Sequence, residues 1–249
     1  MIEIKNVSKK YSNKLQALND VSITIGQGEI IGLFGENGAG KTTLMKSILN
    51  IQSFQGTILL DGEKITRKNI GRLSFGTYEH TFFPYLTAAE NAEFYREHFP
   101  TFREKRFQGL MEFFELPMYG RKVGKLSAGQ QNQFEVILAL CQGADYIFLD
   151  EPFVGNDIFN REDFYKVLLG ILEPQETVFL STHLIEEVAG FIGRAILIRK
   201  GRIVADVDVS EIEENGRTLV DFVKQTYGYQ SDRVSKALLA IVGEENEDA

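Results

Sequence analysis

Apolar and polar positions alternate at the start of the chain: Ile2, Ile4 and Val7, then Val21, Ile23 and Ile25, stand between polar neighbours. Successive strand side chains point to opposite faces, so a period of two predicts strands with one buried face. Gly26-Gln27-Gly28 marks a turn, and the apolar run over 29–34 predicts a strand buried on both faces. A glycine-rich stretch over 35–40 leads into a helical pattern over 41–50, and 56–62 reads as a strand and turn. Thr87-Ala88-Ala89-Glu90 and Thr101-Phe102-Arg103-Glu104 both have the spacing of a capping box, so 87–116 predicts a pair of helices. Phe94, Tyr95, Phe99, Phe107, Phe113 and Phe114 are expected to form their core. Ser127 opens another helix over 128–140. The runs 146–149 and 177–181 predict two more buried strands, and 195–207, turning at Lys200-Gly201, predicts a hairpin. Leu219, Phe222 and Val223 stand at helical spacing within 217–229. Strands alternating with helices predict an α/β fold with a mostly parallel sheet.

Composition narrows the class without changing that picture. The chain has 249 residues, 43% of them hydrophobic, enough to bury a sizeable core. No apolar run approaches the roughly 20 residues of a membrane helix, and 1–7 reads as a strand, not as a signal peptide. A net charge of −8 disfavours a nucleic-acid partner or an anionic membrane surface. The single cysteine, Cys141, ends the apolar run 136–141 and is expected as a buried, reduced thiol. The acidic residues over 244–248 predict a disordered tail.

The candidate chemistry begins at Gly35-Glu36-Asn37-Gly38-Ala39-Gly40-Lys41-Thr42, which matches G-x-x-x-x-G-K-[ST] between a strand and a helix. Glycines let backbone N–H groups wrap phosphates closely, and the helix N-terminus adds favourable partial charge. Lys41 is expected on the β- and γ-phosphates, Thr42 on Mg²⁺, and Thr43 beside them. The apolar strand 146–149 ends in Asp150-Glu151-Pro152. Asp150 suits a Mg²⁺ held through water, and Glu151 is then placed to orient or deprotonate an attacking water. Asn13-Lys14-Leu15-Gln16 lacks the final acid of a guanine-reading motif.

Just before that strand lies Leu126-Ser127-Ala128-Gly129-Gln130, which closely resembles the Leu-Ser-Gly-Gly-Gln signature of ABC ATPases. Ser127-x-x-Gln130 is also a capping box, and both readings hold together, because a serine-capped helix N-terminus is an anion site. The resemblance covers roughly residues 1–210. It implies a P-loop NTPase core, an N-terminal antiparallel β subdomain and a helical subdomain inserted at about 87–142, with 211–249 as a helical extension and tail. It further implies ATP and Mg²⁺ as ligands, Tyr11 as the aromatic that stacks on adenine, and His183 as the histidine that contacts the γ-phosphate. Gly155-Asn156-Asp157 is similar to the family's D-loop. Ser127, Gly129 and Gln130 would face a nucleotide held by a second subunit, so catalysis would need two cassettes.

The chain departs from the family at three places. The position of the usual glutamine of the loop before Phe83-Pro84 falls on Tyr78, or on Glu79 with a shift of one residue. Glu79 could ligate Mg²⁺; tyrosine could not do so well. Ala128 replaces a glycine and Asn156 a leucine. The resemblance implies an ATP-hydrolysing subunit on the cytoplasmic face of a membrane, bound to separate permease subunits, with a lean toward export of peptides or antibiotics. The alternatives are a non-transport ABC ATPase and a nucleotide-binding module with very weak hydrolysis.

Overall fold

The computed structural model describes residues 1–12, 15–152 and 158–228, with only the helical backbone over 158–162. The expected D-loop at Gly155-Asn156-Asp157 and the acidic tail lie outside the described residues. Two sheets carry the fold. The first orders β2 (Leu15–Ile25), β1 (Ile2–Ser12), β4 (Gln55–Leu60) and β5 (Glu63–Lys64), every pair antiparallel. The second orders β10 (Arg202–Asp208), β9 (Arg194–Arg199), β3 (Ile30–Phe34), β8 (Thr177–Ser181), β7 (Tyr146–Asp150) and β6 (Leu73–Thr77). Its pairs are parallel except for the edge strand β10.

Burial follows the pattern. Every residue of β7 and β8 is buried, as their continuous apolar runs require, whereas edge strand β10 alternates exposed and half-buried positions. One core lies between the sheets and packs Ile2, Val21, Ile25 and Leu33 against Phe148 and Phe179. It also buries Leu44 and Ile48 of α1 (Lys41–Ile48). The other face of the large sheet is covered by α2 (Ala88–His98), α3 (Glu104–Phe113) and α4 (Ala128–Cys141). Beyond these follow α5 (Ile158–Ile171), α6 (Ile185–Val188), α7 (Val209–Glu214) and α8 (Leu219–Thr226). Cys141 is buried, and burial pushes its thiol well above the usual range.

Two local expectations are corrected. Thr87 forms its capping box with Glu90, but Thr101 caps nothing: α3 starts at Glu104, and the Thr101 hydroxyl donates to the Gln142 carbonyl at 3.4 Å. Tertiary packing wins there, because Arg103 N donates to the Cys141 carbonyl and its guanidinium pairs with Glu173. Among the aromatics, Tyr95 and Phe107 are buried and Phe94, Phe99 and Phe114 pack against them, but Phe113 points outward. The helical extension expected after about 210 begins with α7 at Val209. It is anchored by Tyr227, whose hydroxyl donates to the carbonyls of Phe34 (3.0 Å) and Ile198 (3.2 Å), the ends of β3 and β9.

Candidate functional site

Strands β3, β6, β7 and β8 run parallel and end on one edge of the large sheet, where ligands of open α/β sheets bind. From the end of β3 the chain turns through 35–40 into α1. Gly40 occupies the helix N-cap at φ 114, and a Cβ there would lie 2.5 Å from the Ala17 carbonyl. Only glycine meets both conditions. The Lys41 side chain is 6% exposed; its ammonium donates to the Gly35 carbonyl at 2.7 Å and stands 3.5 Å from Glu151 Oε1.

Behind the lysine runs a chain of hydroxyls and a carboxylate. Thr42 Oγ1 donates to Asp150 Oδ2 at 2.6 Å, and Ser181 Oγ donates to Asp150 Oδ1 at 2.5 Å. Asp150 is 1% exposed, so these bonds offset the cost of burying it. Glu151 follows at φ 48, a left-handed conformation uncommon for a residue with a Cβ. It is held there by its N–H, which donates to the Ser181 carbonyl at 3.0 Å. Its carboxylate lies between Lys41 and His183, whose Nδ1 is 2.9 Å from Oε2. Backbone strain at a polar site of this kind persists only where neighbours over-determine it.

These groups open on a cleft of about 380 Å³. Tyr11, Glu36, Asn37, Gly38, Gly40, Lys41, Thr42, Thr43 and Glu151 line it; Gly35 and Ala39 of the same loop are not among its walls. Tyr11 is half exposed, and its hydroxyl donates to Gln52 Oε1 at 2.7 Å. Gln52 Nε2 in turn donates to the carbonyl of Thr43, so the aromatic is braced against α1. Amides at a helix N-terminus, a buried ammonium and a wall aromatic suit a polyphosphate with a flat base. The Thr42 hydroxyl and Asp150 carboxylate form a hard oxygen pair that fits Mg²⁺, which takes few protein ligands.

Ser127 caps α4, accepting from Gln130 N at 3.2 Å, while Gln130 Oε1 accepts from Ser127 N at 3.1 Å. Neither they nor Gly129 line the cleft of their own chain. The Tyr78 and Glu79 alternatives separate: Tyr78 is in the cleft wall, whereas both Glu79 oxygens accept from Lys46 at 2.7 Å. Glu79 is therefore tied to α1, and its place as a metal ligand is not favoured.

One residue near the site was not anticipated. Glu135 of α4 is 1% exposed and reaches the segment after β6. A lone acid at the head of the run Phe134–Cys141 was the available signal, since glutamate is almost never fully buried unless paired. Burial pushes its carboxyl up to about 7, against the downward pull of hydrogen bonds from Thr81 and Thr77. A raised folded pKa means the folded chain holds the proton more tightly than the unfolded chain. That stabilisation is complete below the ordinary value of 4.5 and is lost as pH rises from there to about 7. Glu135→Gln is expected to flatten this loss by up to about 3 kcal/mol, read from urea midpoints across that range; parallel curves for variant and wild type would refute it.

A family model described as ABC transporter matches residues 18–154. The chain is 30% identical to the ABC transporter ATP-binding protein NatA of Bacillus subtilis (strain 168) over 232 residues, covering 88% of this chain and 94% of that protein. It is 31% identical over 220 residues to the SkfA peptide export ATP-binding protein SkfE of the same organism, covering 86% and 92%. Among solved structures, the dimeric cassette MJ0796 of a bacterial ABC transporter superposes with a TM-score of 0.72 at 26% identity, covering 84% of this chain and 98% of that one. The same cassette in a dimeric post-hydrolysis state bound to ADP and Pi gives 0.73 at 25% identity over the same shares.

Proposed function

The chain belongs to the ABC transporter family as an ATP-binding subunit, and from that premise we propose that it hydrolyses ATP to drive a substrate through separate membrane subunits. We place it on the cytoplasmic face, bound to permease subunits, and assign it to export of a peptide or antibiotic. The peptide-export relative and the unusual segment Tyr78-Glu79 support that direction. Among the described residues no helix is long and apolar enough to cross a membrane.

The observation that carries the reading is the meeting of Lys41, Thr42, Asp150 and Glu151 at one sheet edge. The amides of 36–42 and Lys41 bind the phosphates, and Tyr11 supports the adenine. Thr42 and Asp150 would hold Mg²⁺, which would supply charge neutralisation on the phosphates. Glu151 orients and deprotonates the attacking water, and His183 fixes its carboxylate and approaches the γ-phosphate. Asp157, in the stretch that resembles the family's D-loop, is assigned to nucleotide binding. Ser127, Gly129 and Gln130 stand outside their own chain's cleft, which supports the assignment that a second copy or close relative supplies them. The dimeric neighbour supports the same arrangement.

Purified chain is expected to hydrolyse ATP with a rate per chain that rises with chain concentration, because two chains complete each site. A rate that stays constant while sedimentation shows only monomer would overturn the two-chain assignment. A second reading, slow hydrolysis at an otherwise intact site, draws on Tyr78 in the cleft where the family has a glutamine. Single-turnover measurement with wild type and Tyr78→Gln separates the two: a faster variant supports the slow module.

A further inference from the structure

Helix α4 connects two places that the proposed reaction must coordinate. Its capped N-terminus at Ser127 is the end assigned to the other subunit's nucleotide. Eight residues on, about 12 Å along the axis, Glu135 reaches the segment that carries Tyr78 into the cleft. The Glu135 carboxylate takes its bonds from that segment: Thr81 N donates to Oε2 at 2.8 Å, Thr81 Oγ1 to Oε1 at 2.8 Å, and Thr77 N to Oε1 at 3.5 Å. A small cavity beside Glu135 is also walled by Tyr78, Asp150 and Glu151. A buried carboxylate is costly unless hydrogen-bonded, so an apolar residue would be the cheaper choice in this run if packing alone were at stake.

The segment has other ties as well. Glu79 is held by Lys46 of α1, and His80 stacks on Phe82 at 4.7 Å. From α4 the segment is met by the Glu135 carboxylate through hydrogen bonds. One residue beyond it, Phe82 meets Phe134 edge to face at 5.6 Å, an apolar contact that leaves Glu135 as the hydrogen-bonding tie. We infer that Glu135 is a positioning residue that ties residues 77–81 to α4, so that Tyr78 in the cleft follows the helix that begins at Ser127. A rotation of α4 on meeting the second subunit's nucleotide would thereby be felt beside Glu151. This inference rests on the reading of the chain as an ATPase.

Two substitutions of Glu135 separate the tie from packing. Glutamine keeps the two shorter bonds, since its carbonyl accepts from Thr81 N while its amide donates to the Thr81 hydroxyl, and gives up only the 3.5 Å bond from Thr77 N. Glu135→Leu keeps the volume and removes every bond. Thr81→Val removes the hydroxyl's bond to Glu135, and with it a 3.3 Å contact to the Tyr95 hydroxyl, while leaving Glu135 and the Thr81 N–H bond in place. In Glu135→Leu, amides of 77–82 are expected to exchange about tenfold faster than wild type, with β7 unchanged, and kcat to fall about tenfold with KM for ATP held within about threefold. Thr81→Val should move both readouts in the same direction by less, and Glu135→Gln should restore both. Unchanged exchange in Thr81→Val and in a folded Glu135→Leu overturns the tie. So does a rise in KM at constant kcat, or a Glu135→Gln variant that behaves like leucine. A wild type that hydrolyses no ATP would sink the functional reading and this coupling with it, while the exchange comparison would still decide whether Glu135 holds the segment.

Discussion

Glu151→Gln is expected to slow ATP hydrolysis by on the order of 10²- to 10³-fold while ATP binding stays within about threefold of wild type. Glutamine is nearly isosteric and can still bond to His183 and lie near Lys41, so the cleft keeps its shape. What it loses is the ability to take a proton, and with it the negative charge that pulls an attacking water toward the phosphorus. Removing that charge also relieves repulsion toward the triphosphate, so affinity should hold or tighten. The backbone at Glu151 is left-handed, and its N–H and side chain are fixed by Ser181, Lys41 and His183. Steady-state hydrolysis and direct nucleotide titration on the same preparation check both halves. A variant slowed less than about tenfold would remove Glu151 from the role of base.

Much of this was readable in advance because the signals were local. The glycine loop, the acidic strand end and the Ser127 box each depend on residues a few positions apart, and periodicity located the strands around them. What escaped depends on contacts distant in sequence. Strand β6 carries Ser74, Gly76 and Thr77, which break the apolar run of a buried strand; it forms because β7 offers a parallel partner. The failed box at Thr101 was outweighed by bonds from Thr101 and Arg103 to Cys141, Gln142 and Glu173, far downstream in sequence. Spacing alone left Tyr78 and Glu79 equivalent. Lys46, on a helix over 30 residues earlier, separates them by capturing the carboxylate. Glu135 went unread although it is a lone acid in an apolar run, and its partners at Thr77 and Thr81 are more than 50 residues away. The fold class therefore follows from pattern, whereas the wiring between elements requires the folded chain.

Lys41→Ala should weaken ATP binding by about 30-fold or more, the larger of the expected losses in affinity. The ammonium is nearly buried, and its present partners are the Gly35 carbonyl and Glu151. Truncating one member of a buried, hydrogen-bonded charge pair costs about 2–5 kcal/mol, and each 1.4 kcal/mol is roughly tenfold in affinity. Two penalties act together: the triphosphate loses its counter-charge, and Glu151 is left facing it uncompensated. Arginine is no substitute, because its planar fork needs more room than a compact ammonium in a loop closed by Gly40 against the Ala17 carbonyl. The second penalty makes a further demand on the measurement. If Glu151 repulsion is part of the loss, Lys41→Ala combined with Glu151→Gln must bind a non-hydrolysable ATP analogue more tightly than Lys41→Ala alone. Groups this close are coupled by about 0.5–3 kcal/mol, so strict additivity would show that the two side chains act on the nucleotide independently, and a single-variant loss below about fivefold would take Lys41 off the phosphates.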